Sequence, residues 1–137
     1  MILVDTSVLL ATISPRDRRH EDCYRLLRQV SGRLCTTAAV MTELFYFVHD
    51  QGLHVDLAWR FFSSGLVSLA PISGDDLPAI EALMLKYADR PMDFADATLV
   101  HVAGREGIAD ILTIDHDDFE TYRFGRNRKF RIAPARK

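Results

Sequence analysis

Acidic residues follow two of the short apolar runs in the sequence. Asp5 directly follows Ile2-Leu3-Val4, and Asp115 directly follows Ile111-Leu112-Thr113-Ile114. Side chains at the carboxyl ends of parallel strands emerge at the same edge of a sheet, and ligands of such sheets bind there. Each aspartate alone is also compatible with a turn or a helix cap. Because two of them occupy strand ends, a shared site is the favoured interpretation.

Three more acids lie on predicted helices at positions that favour a functional role for their carboxylates. Asp93 and Asp96 are three residues apart at the start of a predicted helix, which places them on one face. A role in capping that helix stays open for both. Glu43 lies beside an apolar helical stripe, three residues after Val40 and four before Phe47, with no Lys or Arg within a turn. Buried carboxylates are rare unless they are paired or bind metal. The alternative is a side chain at the edge of the stripe, or one satisfied by another donor.

These acids together predict a site for a hard divalent cation. Carboxylate clusters suit Mg²⁺, with Mn²⁺ as a possible substitute. The sequence contains neither HExxH nor CxxC, so zinc is disfavoured, and we interpret the five histidines as surface residues. Clustered carboxylates repel one another until a cation binds, and a bound cation activates water and stabilises charge on phosphorus. The predicted chemistry is therefore phosphodiester hydrolysis. The four acids that we predict to form the catalytic metal site are Asp5, Glu43, Asp96 and Asp115.

The elements that must position these acids follow an α/β pattern. The chain has 137 residues, of which 48% are hydrophobic and 26% charged, and we expect one globular domain over residues 1–137. Short apolar runs alternate with segments of helical period, which is typical of strands and helices around a mostly parallel sheet. The predicted strands are residues 2–4, 34–36, 66–72, 111–114 and, more weakly, 130–132. The predicted helical stripes are Cys23-Leu26-Leu27-Val30, Val40-Leu44-Phe47-Val48, Val55-Ala58-Trp59-Phe62 and Leu77-Ile80-Leu83-Met84-Tyr87, followed by a fifth helix from Asp93 to about Gly104.

Charge and hydropathy exclude a membrane protein. No apolar stretch approaches the roughly 20 residues that span a bilayer, and Asp5 interrupts the place of a signal peptide, so we expect a cytoplasmic protein. The net charge is −2, but the last 15 residues hold seven of the 17 basic residues and no acid. Such a segment is compatible with nucleic-acid contact or with a solvated end. Cys23 and Cys35 lack metal-ligand spacing, and we expect both in the core.

Four short motifs follow one another along the chain. They are Asp5-Thr6-Ser7, Thr42-Glu43, Asp93-Phe94-Ala95-Asp96-Ala97 and Leu112-Thr113-Ile114-Asp115. In this order and length the sequence resembles a PIN domain, and more narrowly the VapC-type ribonuclease toxins of type II toxin-antitoxin systems. The resemblance covers essentially the whole chain. It implies a three-layer α/β/α sandwich with a mostly parallel four- to five-stranded sheet in the order 3-2-1-4-5.

The resemblance also implies an activity, a ligand set and partners. The activity is Mg²⁺-dependent endoribonuclease cleavage, and the implied partners are an RNA substrate, a cognate antitoxin protein and a second copy in a homodimer. Asp5 and Asp96 are then the principal metal ligands, Glu43 and Asp115 complete the set, and Asp93 is auxiliary. Thr6 or Ser7 positions a phosphate or a water. The candidates for contact with the RNA backbone are Arg16, Arg18, Arg19 and the basic C-terminal residues, with a solvated surface charge as the alternative for each.

Other readings of the acids meet specific obstacles. A haloacid-dehalogenase-type nucleophile requires a second aspartate two residues after the first, where this chain has Ser7. A receiver domain needs adjacent acids in its first loop and a late lysine, and neither is evident. A calcium loop from Asp115 fails because Glu120 and Arg126 stand where Gly and Glu are required. The remaining alternative is an RNA-binding or protein-interaction module with an inactive PIN-like site.

Overall fold

A five-stranded parallel sheet organises the computed structural model, which describes residues 1–137. The strands are β1 (Ile2–Val4), β2 (Leu34–Thr36), β3 (Val67–Leu69), β4 (Asp110–Leu112) and β5 (Arg131–Ala133). Their order is β3-β2-β1-β4-β5, and every neighbouring pair is parallel. The central strand β1 therefore lies between β2 and β4. The α/β class and the strand order predicted by the resemblance are confirmed.

Helices connect the strands and cover the sheet. They are α1 (Thr6–Ile13), α2 (His20–Gln29), α3 (Ala38–Asp50), α4 (Val55–Ser63), α5 (Leu77–Lys86), α6 (Phe94–Glu106) and α7 (His116–Thr121). The chain moves from β1 outwards to β3, then crosses back and moves from β4 outwards to β5. Because such crossovers are right-handed, these opposite directions put helices on both faces of the sheet. None of the helices has the length and apolar character that a membrane crossing requires.

Helix α6 carries the Asp93 and Asp96 pair and runs through the core. It begins after Asp93, whose Oδ1 accepts a hydrogen bond from the Asp96 backbone N–H at 2.8 Å. It ends at Gly107, which has φ 68° and so adopts the left-handed conformation that commonly terminates helices. Eight of its 13 residues are buried. The helix predicted from Asp93 to about Gly104 is confirmed, and it extends to Glu106.

Thirty-one buried apolar residues form one core cluster around the sheet. Cys23 and Cys35 are among them, as free thiols, which confirms their predicted core position. β2 is buried along its whole length. Its short apolar run is thus explained by helices on both faces rather than by an alternating pattern.

The structure corrects several details of the predicted elements. Strands β4 and β5 are Asp110–Leu112 and Arg131–Ala133 rather than residues 111–114 and 130–132, so Asp115 lies three residues beyond the end of its strand. Helices α1 and α7 were not predicted, because α1 is apolar on most sides and α7 is only six residues long. Strand β3 is Val67–Leu69 rather than residues 66–72, as expected for an edge strand that pairs only with β2. In α4 the buried residues are Ala58 and Phe61, whereas Trp59 is 46% exposed. His116 is buried with its Nε2 2.7 Å from the Pro134 carbonyl oxygen, so the prediction that all histidines lie at the surface is wrong.

Two of the seven basic C-terminal residues form ion pairs within the protein. Arg136 Nη2 lies 2.7 Å from Asp117 Oδ1 and 2.9 Å from Glu120 Oε2. Arg131 bonds Asp110 at 2.8 Å across β5 and β4. Lys137 Nζ lies 3.3 Å from the Arg18 carbonyl oxygen. The end of the segment is thus tied to the domain by two arginines, while its basic side chains stay largely exposed to solvent, as the sequence left open.

Candidate metal and catalytic site

The predicted acids meet in one cleft at the carboxyl ends of β1 and β4. These strands are neighbours, with Val4 in register with Leu112, so the residues that follow them lie side by side. The cleft has a volume of about 370 Å³. The carboxylates that line it are Asp5, Asp17, Glu43, Asp93, Asp96, Asp115 and Asp118, together with Thr6 and Ser7. The sequence analysis had singled out all of these residues except Asp17 and Asp118.

Two hydroxyl groups orient the buried carboxylate of Asp5. Its side chain is nearly inaccessible, and Oδ2 accepts hydrogen bonds from Ser7 Oγ and Thr113 Oγ1, each at 2.9 Å. Each hydroxyl also accepts a backbone N–H, from Ile114 at 3.1 Å and from Asp115 at 3.0 Å, respectively. Because an ionised carboxylate can only accept hydrogen bonds, the hydroxyl hydrogens point to Asp5. Oδ1 of Asp5 makes no side-chain hydrogen bond and is the oxygen left for a ligand.

The Thr6 hydroxyl is a buried polar group without a hydrogen bond of normal length. Thr6 is 3% exposed, and its Oγ1 faces the Glu43 carboxylate closely enough to oppose in part the burial that raises the pKa of Glu43. Unsatisfied buried polar atoms are rare and call for an explanation. Thr6 lines the acidic cleft beside Asp5. A water on a cation, or a phosphate oxygen, would satisfy this hydroxyl, so the site fits the predicted ion.

A buried tyrosine orients Asp96. Tyr122 is fully buried between the rings of Tyr87 and Phe119, with centroids at 5.1 and 5.2 Å. Its hydroxyl donates a hydrogen bond of 3.0 Å to Asp96 Oδ2. Asp96 is 8% exposed. The Asp93 carboxylate caps the same helix, so the capping role left open by the sequence holds for Asp93 alone.

Asp96, Asp115 and Asp118 form the tightest group of potential ligands. One carboxylate oxygen from each lies within 4.8 Å of the others. Because cation ligands stand about 2.0–2.6 Å from the metal, three oxygens this close can share one ion. Asp118 was missed by the sequence analysis, which considered it only as part of a calcium loop. A usable signal was its spacing of three from Asp115, the same as that between Asp93 and Asp96.

The cleft is electrostatically strained without a cation. Burial, reinforced by the neighbouring Asp5 charge, raises the pKa of Asp96 to about 8. Burial and the adjacent Asp118 raise the pKa of Asp115 to about 7. The pKa values of Asp5 and Glu43 are also raised, chiefly by burial. A bound divalent cation would favour the ionised form of each carboxyl group and remove this penalty.

The raised pKa values predict an unusual dependence of stability on pH. A folded carboxyl group with a pKa of about 8 keeps a proton that the unfolded chain releases near pH 4, so its contribution to stability falls as pH rises from about 4 to about 8. In EDTA, the melting temperature should fall between pH 5 and pH 8, and Mg²⁺ should raise it more at pH 8 than at pH 5. Thermal melts of wild type and Asp96→Asn measure this, and the variant should show a flatter profile. A wild-type melting temperature that rises over this range and ignores Mg²⁺ would contradict the prediction.

The arginines proposed to contact RNA differ in their surroundings. Arg16 and Arg18 are exposed on either side of Asp17, a residue of the cleft wall. Arg19 is only 9% exposed. Its Nε donates to Asp22 at 3.1 Å and its Nη2 to the Ala135 carbonyl oxygen at 2.9 Å. Arg19 therefore ties the loop before α2 to the C-terminal residues and is not free to bind a backbone phosphate.

Comparison with known proteins agrees with this fold. The PIN domain family matches residues 2–125, so the chain belongs to the PIN domain family. Within it the chain resembles VapC-type proteins, as the sequence motifs had predicted. It is 27% identical to ribonuclease VapC26 of Mycobacterium tuberculosis (strain ATCC 25618 / H37Rv) over 135 residues, which cover 97% of this chain and 100% of the relative.

Two solved structures share the fold. One is Mycobacterium tuberculosis VapC20, described as a sarcin-ricin loop cleaving toxin, with a TM-score of 0.77 and 24% identity over 85% of this chain and 92% of that one. The other is VapBC2 from Rickettsia felis bound to a DNA fragment from their promoter. It has a TM-score of 0.64 and 15% identity over 98% of this chain and 100% of that one.

Proposed function

We propose that this protein is a Mg²⁺-dependent endoribonuclease and the toxin of a toxin-antitoxin pair. The observation that carries the proposal is the cleft that seven carboxylates line. Such a cleft suits a hard cation and, through it, a phosphodiester. The names of the two Mycobacterium tuberculosis relatives, a ribonuclease and a sarcin-ricin loop cleaving toxin, support RNA as the substrate class.

The site residues divide into those that hold the cation and those that orient them. Asp5, Glu43, Asp96 and Asp115 are the proposed ligands and catalytic acids, with Asp118 added from the geometry and Asp93 as an auxiliary acid. When bound, Mg²⁺ would lower the pKa of a coordinated water and stabilise the charge that develops on phosphorus. Mn²⁺ would substitute because it takes the same oxygen ligands.

Four hydroxyl-bearing residues of the site orient the proposed ligands or the substrate. Ser7 and Thr113 direct their hydroxyl hydrogens to Asp5 Oδ2, which fixes the plane of this carboxylate. Tyr122 does the same for Asp96. The Thr6 hydroxyl is left to position a water or a phosphate oxygen. The protein thus supplies a rigid set of oxygen ligands, which is what fixed coordination geometry requires.

RNA cleavage by the purified protein tests this proposal. We expect cutting of RNA with Mg²⁺ or Mn²⁺, none in EDTA, and none by Asp96→Asn purified in parallel, which also exposes contaminating nuclease. A very specific enzyme could spare bulk RNA, so toxicity on expression, relieved by the same substitution, is the second readout. RNA binding without cutting or toxicity would instead identify the binding-only module.

The proposal includes an antitoxin and a second copy of the chain as partners, in the cytoplasm. The VapBC2 structure supports an antitoxin partner, because that relative is a VapB and VapC complex. Tyr46 on α3 and Trp59 on α4 are 63% and 46% exposed and offer apolar surface for either contact. Light scattering on the purified chain measures the oligomeric state, and a monomer at all concentrations would exclude the homodimer.

Removing the Tyr122 hydroxyl should slow the reaction without unfolding the protein. Tyr122→Phe leaves Asp96 Oδ2 without its donor, and we expect a loss of about 10- to 100-fold in cleavage rate, as for other groups that orient ligands. The expected cost in stability is about 1 kcal/mol. Cleavage kinetics and a denaturant melt measure both quantities.

Tyr87→Phe is the matched control for this prediction. The Tyr87 hydroxyl accepts the Arg123 backbone N–H at 2.9 Å and touches no carboxylate of the cleft. Its removal should cost similar stability and leave the cleavage rate nearly unchanged. Equal activity of Tyr122→Phe and wild type would show that the hydrogen bond to Asp96 is unimportant for the reaction.

A further inference from the structure

The residues that line the proposed site carry negative charge and no positive charge to bind an RNA phosphate. Seven of the residues that line the cleft are carboxylates and none is a lysine or an arginine. RNA is a polyanion whose binding depends on neutralising its phosphates. One divalent ion offsets only two charges. An RNA phosphate that approaches this cleft therefore needs a positive group at the rim.

Arg90 is positioned to meet that need. It is the one arginine or lysine in the structure whose side chain forms an ion pair with a residue of the cleft wall: its Nη1 lies 3.0 Å from Asp118 Oδ1. Nη1 also lies 3.4 Å from the Asp117 carbonyl oxygen. The Arg90 backbone N–H bonds to the Tyr87 carbonyl oxygen at 3.0 Å, and the next residue, Pro91, itself lines the cleft. Backbone and side chain together hold the guanidinium at the rim.

Most of the donor capacity of this guanidinium is unused. Only Nη1 takes part in hydrogen bonds, whereas Nε and Nη2 have none, and the side chain is 38% exposed. Nε–H and Nη2–H form the planar fork that binds two phosphate oxygens at once. The carboxylate of Asp118 thus orients the guanidinium of Arg90 and leaves Nε–H and Nη2–H available.

A second arginine that pairs with the same helix, α7, shows the contrast. Arg136 also pairs with α7, through Asp117 and Glu120, but its Nε and Nη2 are both engaged, at 3.1 Å and at 2.7 and 2.9 Å. Its fork is occupied by carboxylates. Arg136 is therefore a structural ion pair and a natural control for Arg90.

We propose that Arg90 binds a backbone phosphate of the RNA substrate beside the scissile bond, using Nε–H and Nη2–H. This inference rests on the proposed ribonuclease function and names the residue that admits the polyanion to the acidic cleft. The contact is made to phosphate, so it positions any RNA sequence and selects none.

RNA binding by a cleavage-deficient protein tests the role of Arg90. A short fluorescein-labelled RNA hairpin is titrated with Asp96→Asn protein in Mg²⁺, from about 50 to about 200 mM KCl. Adding Arg90→Gln should weaken binding roughly tenfold, as for the loss of a charged hydrogen bond, and reduce the salt slope by about 0.7 to 0.9. Arg90→Lys should restore the slope but not the full affinity, because lysine lacks the fork. Arg136→Gln should change neither quantity.

Three outcomes separate this inference from its alternatives. If Arg90→Gln lowers the melting temperature but binds RNA as tightly as the parent, Arg90 only holds α7 and the inference is overturned. If Arg136→Gln weakens binding as much as Arg90→Gln, the effect is one of net charge, and the inference also fails. In either case, cleavage of RNA by wild-type protein purified in parallel shows that the proposed function stands. Absence of both cleavage and binding removes the function and this inference together.

Discussion

Replacing Asp96 with asparagine should abolish RNA cleavage and yield a protein that is more stable than wild type in the absence of metal. Asp96 is almost fully buried, and burial with the neighbouring Asp5 charge raises its pKa to about 8. An amide has nearly the same shape but no charge to desolvate, so the folded state loses a repulsion. The amide still accepts the Tyr122 hydrogen bond. Folding is therefore preserved while a negatively charged ligand is removed.

The loss of activity should be on the order of 10²–10³-fold or more, as for removal of a preorganised electrostatic group. Cleavage kinetics in Mg²⁺ and thermal melts in EDTA at pH 8 measure the two effects. Asp89→Asn is the matched control, since Asp89 is an exposed acid in the loop before α6. It should alter neither quantity much. If Asp96→Asn cleaved RNA at the wild-type rate, Asp96 would be excluded from the active site.

Replacing Asp5 with asparagine should also abolish cleavage, but by removing a cation ligand in a defined orientation. The hydroxyls of Ser7 and Thr113 both donate to one oxygen of Asp5. In Asp5→Asn the amide oxygen must take that position, because an NH₂ group cannot accept hydrogen bonds. The NH₂ group then replaces Oδ1, the oxygen without a side-chain partner. Nitrogen of an amide is no ligand for Mg²⁺, so the chain loses this contact completely.

Calorimetric titration with Mn²⁺ and cleavage kinetics check this second prediction. We expect metal affinity to fall by at least the 10- to 100-fold seen when ligand-orienting groups are lost, with cleavage reduced further. Asp17→Asn is the control. Asp17 also lines the cleft, but its Oδ1 accepts the Arg19 backbone N–H at 2.8 Å, a bond that asparagine can keep. An Asp5 variant that binds Mn²⁺ as tightly as wild type would show that Asp5 is not a ligand.

The sequence was most informative where a residue type coincided with the end of a predicted strand. Asp5 and Asp115 follow apolar runs, and a parallel sheet brings the ends of such runs together whatever the loops do. Glu43 was found by its conflict with an apolar helix face, and it lies in the same cleft. These inferences needed only periodicity and the cost of burying charge.

Side chains whose role depends on three-dimensional orientation could not be predicted. Tyr122 is an isolated aromatic residue in the sequence, and its hydroxyl reaches Asp96 only because the segment after α7 folds over α6. Arg90 and Arg19 have the same residue type and charge. One is half-exposed at the rim of the cleft and the other is buried against Asp22. Composition therefore indicated that arginines were available, but only packing distinguishes Arg19, whose Nε and Nη2 are both engaged, from Arg90, whose Nε and Nη2 form no hydrogen bond.

The pairing of β1 with β4 has a consequence for how the protein is made. Asp5 directly follows β1, whereas Asp115 and Asp118 follow β4, which is synthesised more than 100 residues later. Residues 1–69 can bring β1, β2 and β3 together, but their product holds no complete set of carboxylates. Chains grow at about 5–20 residues per second, so several seconds separate the synthesis of Asp5 from that of the carboxylates that complete the cleft. Under the proposed function, RNA cleavage cannot begin before β4 has been synthesised and has paired with β1.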